Sequence, residues 1–208
     1  MKELIKKFLP QFIWDIYVKR LNQKLYDQWL ANNCPVPPPH LAKQKVISSY
    51  QDKYKLSTFI ETGTYMGDMI QAQKDRFNKL ISIELGEQLA LNARKRFKGF
   101  SHIEINIGDS GKVLPEIMKN IHSPALFWLD GHYSAGVTSK GDKDCPIYEE
   151  LDAIFSAQKL NHIILIDDAR CFDGTGDYPT IANLEKYVLS RNPQYRMEID
   201  TDVIRLVC

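Results

Sequence analysis

Paired cysteine motifs are absent from this sequence. Its 208 residues include four cysteines, but none of them forms a C-x-x-C pair, and no H-x-x-x-H motif is present. This pattern indicates neither a zinc site nor a disulfide framework. A chain with isolated cysteines suits a reducing environment, and we therefore predict a cytoplasmic location.

An excess of charge of either sign is also absent. The 27 lysines and arginines nearly balance the 26 aspartates and glutamates, which gives a formal net charge of +1. Such a chain has no overall field that would attract nucleic acid or an anionic surface. We therefore expect a small-molecule substrate and no nucleic-acid partner.

The N-terminal region has no long hydrophobic run. Residues 1–30 mix basic and aromatic side chains, and Pro10, Asp15 and Lys19 interrupt the apolar positions. We expect neither a signal peptide nor a membrane-spanning helix here. We interpret this segment as a helical arm that packs on its own domain or on a second subunit of a homo-oligomer. Peripheral contact with a membrane surface is the alternative.

A proline-rich linker separates the arm from the rest of the chain. Four prolines lie within residues 32–40, where they remove backbone donors and restrict φ. Residues 1–40 are therefore predicted to form the helical arm and its linker. Residues 41–208 are predicted to form a single domain.

Short apolar runs alternate with helix-compatible stretches in this domain. The runs predict strands that are buried on both faces, at residues 57–61, 80–85, 102–107, 125–129 and 162–166. The intervening stretches predict helices at residues 41–54, 86–97, 111–120 and 146–159. Alternation of this kind predicts a parallel sheet with helices on both faces.

The C-terminal region departs from this alternation. Residues 195–199 and 203–207 predict two strands that only three residues separate. Because this connection is too short for a crossover helix, it predicts an antiparallel hairpin. The predicted fold class is α/β: a doubly wound, seven-stranded, mostly parallel sheet with an antiparallel C-terminal strand, to which the N-terminal helical arm is added.

Glycines and acidic residues follow the first two predicted strands. In an open α/β sheet, ligands bind at the carboxyl ends of the strands. The first strand leads into Glu61, Gly63 and Gly67, and the second ends at Glu84. A dinucleotide fingerprint requires a glycine two residues after Gly63, where this sequence has Tyr65. The turn therefore favours a ligand without a diphosphate.

The two carboxylates near this turn indicate what the ligand is. Glu84 stands where a carboxylate accepts hydrogen bonds from a ribose diol, and Glu61 suits a cationic group. A cationic nucleoside without a diphosphate is S-adenosylmethionine. Taken separately, the glycines also fit an ordinary strand-to-helix turn, and Glu84 also fits a solvated acid in the first turn of a helix.

The ordered set of motifs resembles the class I, Rossmann-like S-adenosylmethionine-dependent methyltransferases. The matching stretches are ETGTYMG from Glu61, ISIEL with Glu84, IGDS with Asp109 and WLDGH with Asp130, within residues 41–208. The resemblance implies a cofactor site made of Glu61, Gly63, Thr64, Gly67, Glu84, Asp109 and Ser110.

The same resemblance implies a role for several of these residues. Gly63 and Gly67 would shape the turn below the methionine moiety, and Glu84 would hold the ribose hydroxyls. Asp109 and Ser110 would border the adenine.

Three aspartates follow the fourth and fifth predicted strands, namely Asp130, Asp167 and Asp168. On neighbouring strands their carboxylates would converge and repel each other unless a cation lies between them. Mg²⁺ prefers such oxygen ligands. The arrangement resembles metal-dependent O-methyltransferases of the catechol and macrolide-sugar types, which implies that these three aspartates bind the metal. Unlike the catechol enzymes, the sequence has no lysine directly after His132 to act as general base.

The loop after Asp130 contains the predicted general base. His132 is the nearest titratable side chain with an ordinary pKa near 6.5, and a supporting or surface role is its alternative. Asp130 would serve as the base if no metal binds. Residues 131–144 are predicted to be a lid on the substrate side, with a disordered surface insertion as the alternative. Arg170 is expected to pair with an anionic acceptor group or with an acid of this loop.

These expectations combine into one predicted function. The sequence predicts an S-adenosylmethionine-dependent methyltransferase that uses Mg²⁺ to methylate a hydroxyl of a small polar acceptor, such as a sugar or glycan. A nucleotide-binding oxidoreductase of Rossmann type and a non-catalytic Rossmann-like interaction module are the alternatives.

Overall fold

The computed structural model describes residues 11–131, 145–156 and 160–208. Contacts divide the chain into two units, one up to Val46 and one from Ile47 to Cys208. The domain boundary after residue 40 stays a prediction from the sequence.

The first unit contains helix α1 (Gln11–Ala31) and the beginning of helix α2 (His40–Tyr54). Within this unit, Trp29 Nε1 donates a hydrogen bond to Pro35 O at 2.7 Å. The Lys45 ammonium lies 5.0 Å from the centre of the Tyr26 ring. Residues 11–31 of the predicted arm are therefore helical. No helix in the described part of the chain combines the length and apolar character needed to cross a membrane.

A sheet forms the centre of the second unit. Its strands are β1 (Thr58–Thr62), β2 (Lys79–Glu84), β3 (Ile103–Ile107), β4 (Leu126–Leu129), β5 (Ile163–Ile166), β6 (Arg196–Asp200) and β7 (Val203–Val207). Among the described residues they form one seven-stranded sheet with the order β3-β2-β1-β4-β5-β7-β6. Strands β1 to β5 pair in parallel, and β7 is antiparallel to both β5 and β6. The predicted sheet, including its reversed strand, is confirmed.

Helices connect the strands. They are α3 (Asp68–Gln73), α4 (Glu87–Phe97), α5 (Ser110–Met118), α6 (Ile147–Ser156) and α7 (Ile181–Arg191), and a 3-10 turn (Ala169–Cys171) follows β5. Side-chain caps fix two of the helix starts. Asp109 accepts from Gly111 N before α5, and Thr180 accepts from Asn183 N before α7. Such caps satisfy backbone donors that the first turn of a helix leaves without partners.

Strands β4 and β5 are apolar along their whole length because helices cover both faces of the sheet. Every residue of β1, β4 and β5 is buried. Phe127 and Ile164 belong to the main apolar cluster, and neither has any exposed surface. The edge strand β6 differs, since most of its residues are exposed. The core therefore lies around the middle strands, whose carboxyl ends it holds in place.

Replacement of Ile164 by alanine is expected to lower the free energy of unfolding by about 2 to 5 kcal/mol, because it leaves a cavity in a fully buried position. Chemical denaturation measures this loss. The matched control is Ile199→Ala on β6, where the side chain is 48% exposed and the expected loss is under about 1 kcal/mol. Equal losses in the two variants would contradict this description of the core.

Candidate active site

The strand register brings the ends of the central strands to one edge of the sheet. Thr62 at the end of β1 pairs with Ile83 of β2 and with Leu129 of β4, and Leu129 pairs with Ile166 of β5. The residues that follow these strands therefore emerge side by side. They are the positions at which the sequence predicts a cofactor and a metal.

Gly63 lies at the centre of this edge. Its φ is +85°, and a Cβ atom built on it would lie 2.4 Å from the carbonyl oxygen of Asp130. Backbone hydrogen bonds fix the turn on both sides: Gly63 N donates to Ile83 O at 2.9 Å, and Asp130 N donates to Thr62 O at 3.1 Å. Only glycine fits, since the conformation and the contact both exclude a side chain.

Gly67 and Thr64 lie in the same turn but face protein atoms. Gly67 has φ +75° and precedes α3, and a Cβ atom there would lie 2.8 Å from the Phe97 ring. Thr64 is buried, and its Oγ1 lies 2.5 Å from Ser82 Oγ. The Gly67 contact therefore supports packing of the turn on α4, and the Thr64 side chain points to β2.

Glu61 is fully buried below the turn. Ser82 Oγ donates a hydrogen bond to Glu61 Oε1 at 2.7 Å. Glu61 Oε2 is buried and has no hydrogen-bond partner among the described residues. Burial raises the pKa of Glu61 to about 8, the Ser82 hydrogen bond partly opposes this rise, and the nearby charges of Asp130 and Glu84 add to it. At neutral pH the side chain is therefore mostly protonated.

Glu84 joins two loops at the end of β2. Its Oε2 accepts a hydrogen bond from Tyr65 N at 2.7 Å, and its Oε1 accepts one from Gly86 N at 2.8 Å. The sequence pattern does not predict this bridge, because every residue except proline has a backbone N–H and the sequence does not show which of them a carboxylate contacts. Each carboxylate oxygen has a second lone pair that a further donor can use.

Asp109 and Ser110 lie at the end of β3. Asp109 caps α5, as described above, and its Oδ2 lies 3.6 Å from Lys112 Nζ. Ser110 is the first residue of that helix and is buried. The cap gives Asp109 a local structural role, and its contact with an adenine stays a prediction.

The three aspartates after β4 and β5 come together. Asp130, Asp167 and Asp168 each offer one carboxylate oxygen, and these oxygens lie within 4.8 Å of one another. Asp167 is fully buried, and its Oδ1 accepts a hydrogen bond from Asp168 N at 2.8 Å. A group of this size and composition is able to bind a hard divalent cation.

Arg170 contacts this cluster from the 3-10 turn. Its Nη1 donates to Asp168 Oδ1 at 2.9 Å and also to Asp202 Oδ2 in the turn between β6 and β7. The sequence instead predicts pairing with an acceptor group or with Asp142 or Asp144, two positions that lie outside the described residues. The Asp202 contact joins distant parts of the chain, so sequence spacing does not reveal it.

Other parts of the predicted site lie beyond the described positions. His132 and the rest of the predicted lid, up to residue 144, belong to this group, and so their roles stay predictions. Gly131 is described, and a Cβ atom on it would lie 3.0 Å from Glu150 Oε1. Glu150, from α6, is a buried acid next to the site that the strand-end pattern does not predict.

Similar solved structures share this fold. Neither a protein-family model nor a curated protein matches the sequence. The O-methyltransferase TomG of Streptomyces achromogenes, solved with S-adenosylmethionine, matches with a TM-score of 0.60 and 15% identity over 96% of this chain and 99% of that one. An O-methyltransferase of Bacillus cereus, solved with S-adenosylhomocysteine, matches with a TM-score of 0.58 and 14% identity over 89% and 90%.

The N-methyltransferase NodS of Bradyrhizobium japonicum has a TM-score of 0.54 and 12% identity, over 88% of this chain and 97% of that one. The chain therefore has the fold of the class I S-adenosylmethionine-dependent methyltransferases, as the sequence motifs predict. Because O- and N-methyltransferases share it, the fold alone does not define the acceptor.

Replacement of Glu61 by glutamine is expected to flatten the pH dependence of stability. The pKa of Glu61 is about 8 in the folded chain against an ordinary value of 4.5, so the folded chain binds more protons between these values. The free energy of unfolding therefore falls as pH rises from about 5 to about 8, by a few kcal/mol in order of magnitude. Denaturation across this range measures the slope.

Glutamine removes this contribution, since it does not ionise. The exposed Glu116, which pairs with Lys119, provides the control variant Glu116→Gln, which should keep the wild-type slope. A Glu61→Gln slope equal to that of the wild type would show that Glu61 is ionised in the folded chain.

Proposed function

We propose that this protein is an S-adenosylmethionine-dependent O-methyltransferase that uses Mg²⁺ and acts on a hydroxyl of a small polar acceptor, such as a sugar or glycan. One observation carries the proposal: the glycine turn after β1 lies directly against the backbone of Asp130, the first residue of the acidic cluster. A nucleoside on the turn and a cation in the cluster would therefore be neighbours.

The residues around the turn fit S-adenosylmethionine. Gly63 gives the turn a left-handed conformation and allows it to pack against the Asp130 backbone, and Glu61 Oε2 is a buried acceptor without a hydrogen-bond partner among the described residues. A cationic ligand near that oxygen would favour the ionised carboxylate and lower the pKa of Glu61. Glu84 keeps lone pairs for ribose hydroxyls. The three similar structures named above were solved with S-adenosylmethionine or S-adenosylhomocysteine, which supports the same cofactor here.

A dinucleotide fits the turn less well. Its diphosphate would need backbone donors from the glycine turn. In this chain Tyr65 N already donates to Glu84, and the carboxylate would repel an anion beside it. This contact favours the methyltransferase over the oxidoreductase that the sequence leaves as an alternative.

The acidic cluster fits Mg²⁺ by its chemistry. Asp130, Asp167 and Asp168 offer three carboxylate ligands, and the guanidinium of Arg170 pairs with Asp168. A divalent cation would offset the repulsion between these carboxylates. Mg²⁺ bound there would lower the pKa of an acceptor hydroxyl that it coordinates. S-adenosylmethionine would supply a methyl group activated by its sulfonium.

The remaining tasks fall to side chains of this chain. His132, two residues after Asp130, is proposed to take the proton from the acceptor hydroxyl, and Asp130 takes that role if no metal is used. The turn at Gly63 and the carboxylates after β4 and β5 would position the reacting groups, which lowers the barrier of a direct displacement. The sugar acceptor is proposed from the resemblance to macrolide-sugar enzymes.

Replacement of Glu84 by glutamine is expected to weaken binding of S-adenosylhomocysteine by about tenfold or more, since it removes a charged acceptor. The amide N–H₂ of the glutamine would also face Tyr65 N or Gly86 N, which is itself a donor and would lose its acceptor. Calorimetry measures the affinity, and thermal unfolding checks the fold. Glu104→Gln, at an exposed position of β3, is the matched control and should bind normally. Unchanged affinity in Glu84→Gln would remove this residue from the cofactor site.

Incubation with S-adenosylmethionine, Mg²⁺ and a panel of sugar nucleotides, glycans and phenols is expected to yield a product heavier than its acceptor by one CH₂, detected by mass spectrometry.

EDTA should abolish turnover. Asp167→Asn should also abolish turnover but retain S-adenosylhomocysteine binding, because its carboxylate serves the metal. A product that forms equally in EDTA would exclude the role of Mg²⁺, and a chain that binds no S-adenosylhomocysteine would contradict the whole proposal.

A further inference from the structure

Asp202 is an acid buried in a hairpin turn. It lies between β6 and β7, and both Thr201 and Asp202 have positive φ, at 56° and 61°. Hairpin turns commonly contain aspartate, but such residues are usually exposed. The side chain of Asp202 is only 2% exposed. Its burial therefore needs specific partners.

These partners belong to the 3-10 turn that follows β5. Asp202 Oδ1 accepts a hydrogen bond from Arg170 N at 2.9 Å, and Asp202 O accepts one from Ala169 N at 2.9 Å. Asp202 Oδ2 accepts from Arg170 Nη1. One residue of the hairpin thus holds both the backbone of the 3-10 turn and its arginine side chain.

The same arginine reaches the acidic cluster. Arg170 Nη1 donates to Asp168 Oδ1 at 2.9 Å, and Asp168 N donates to Asp167 Oδ1 at 2.8 Å. Asp168 has φ 54° and ψ 49°, a left-handed conformation that aspartate adopts more readily than most residues other than glycine. A continuous series of hydrogen bonds therefore runs from Asp202 through Arg170 to the cluster.

We propose that Asp202 and Arg170 are positioning residues for the Asp168 carboxylate. Asp202 fixes the guanidinium of Arg170, and Arg170 holds one oxygen of Asp168, so that Asp168 stays within reach of Asp130 and Asp167. This inference rests on the proposed Mg²⁺ site. Partners of this kind orient metal ligands, and their loss typically costs about 10- to 100-fold in metal affinity.

Simple electrostatics makes a different prediction for the arginine. If Arg170 acted only through its charge, its removal would tighten the binding of a cation. If Arg170 positions Asp168, its removal weakens binding although the cluster becomes more negative. The sign of the Arg170 effect therefore separates positioning from a simple charge effect.

The test measures binding of Mn²⁺, as a probe for Mg²⁺, to the full chain by calorimetry and electron paramagnetic resonance. Asp202→Asn and Arg170→Gln should each weaken Mn²⁺ binding by about tenfold or more. The double variant should bind no more weakly than the weaker single variant, because both changes break the same connection. S-adenosylhomocysteine affinity should stay within about twofold of the wild type, since the cofactor residues are untouched.

Asp200→Asn is the matched control. Asp200 belongs to the same hairpin and pairs with an arginine, Arg205, at 2.8 Å, but this pair does not include an atom of the cluster. The control should bind Mn²⁺ like the wild type. Asparagine also tolerates positive φ, so Asp202→Asn keeps the turn. Arg170, 36% exposed, provides a second test if Asp202→Asn does not fold.

Several results would overturn the inference. They are unchanged Mn²⁺ affinity in both variants, tighter binding in Arg170→Gln, an equal loss in Asp200→Asn, or parallel losses of Mn²⁺ and S-adenosylhomocysteine binding. If the wild type binds S-adenosylhomocysteine but no Mn²⁺, the proposed metal site is excluded, and so is this inference. A wild type that binds neither would contradict the proposed function itself.

Discussion

The contact between Gly63 and the Asp130 backbone is the constraint on which the site depends. The turn after β1 lies against the loop after β4, and it can do so only because Gly63 has no side chain. A Cβ atom on Gly63 would lie 2.4 Å from Asp130 O. Parallel pairing of β1 with β4 and of β4 with β5 then brings Asp167 to the same edge. Without this close approach, the glycine turn and the acids would be separate features of the sheet.

Much of this arrangement is predictable from the sequence because it follows local rules. Uninterrupted apolar runs identify strands buried on both faces, and a three-residue connection near Thr201 requires a hairpin. Strand ends then place Glu84 and the acids after β4 and β5 at one edge. The predicted fold is confirmed, and the three aspartates that the sequence groups together lie within 4.8 Å of one another.

The remaining features depend on contacts that residue identity does not encode. Glu84 bridges two loops through the backbone donors of Tyr65 and Gly86, which any non-proline residue would supply. The raised pKa of Glu61 follows from complete burial, a property of the assembled sheet. Asp202 reaches the site only because β7 pairs with β5. Each of these three features results from packing between segments that are distant in the sequence, so a pattern along the chain does not predict them.

The position of β7 also bears on how the protein is made. This strand follows β6 in the chain but lies between β5 and β6 in the sheet. During synthesis the outer side of β5 therefore stays without its neighbour until β7 has left the ribosome, and β6 has no sheet to join before then. A nascent chain with an open apolar strand edge is prone to aggregate, so this order of synthesis favours chaperone binding to the incomplete domain.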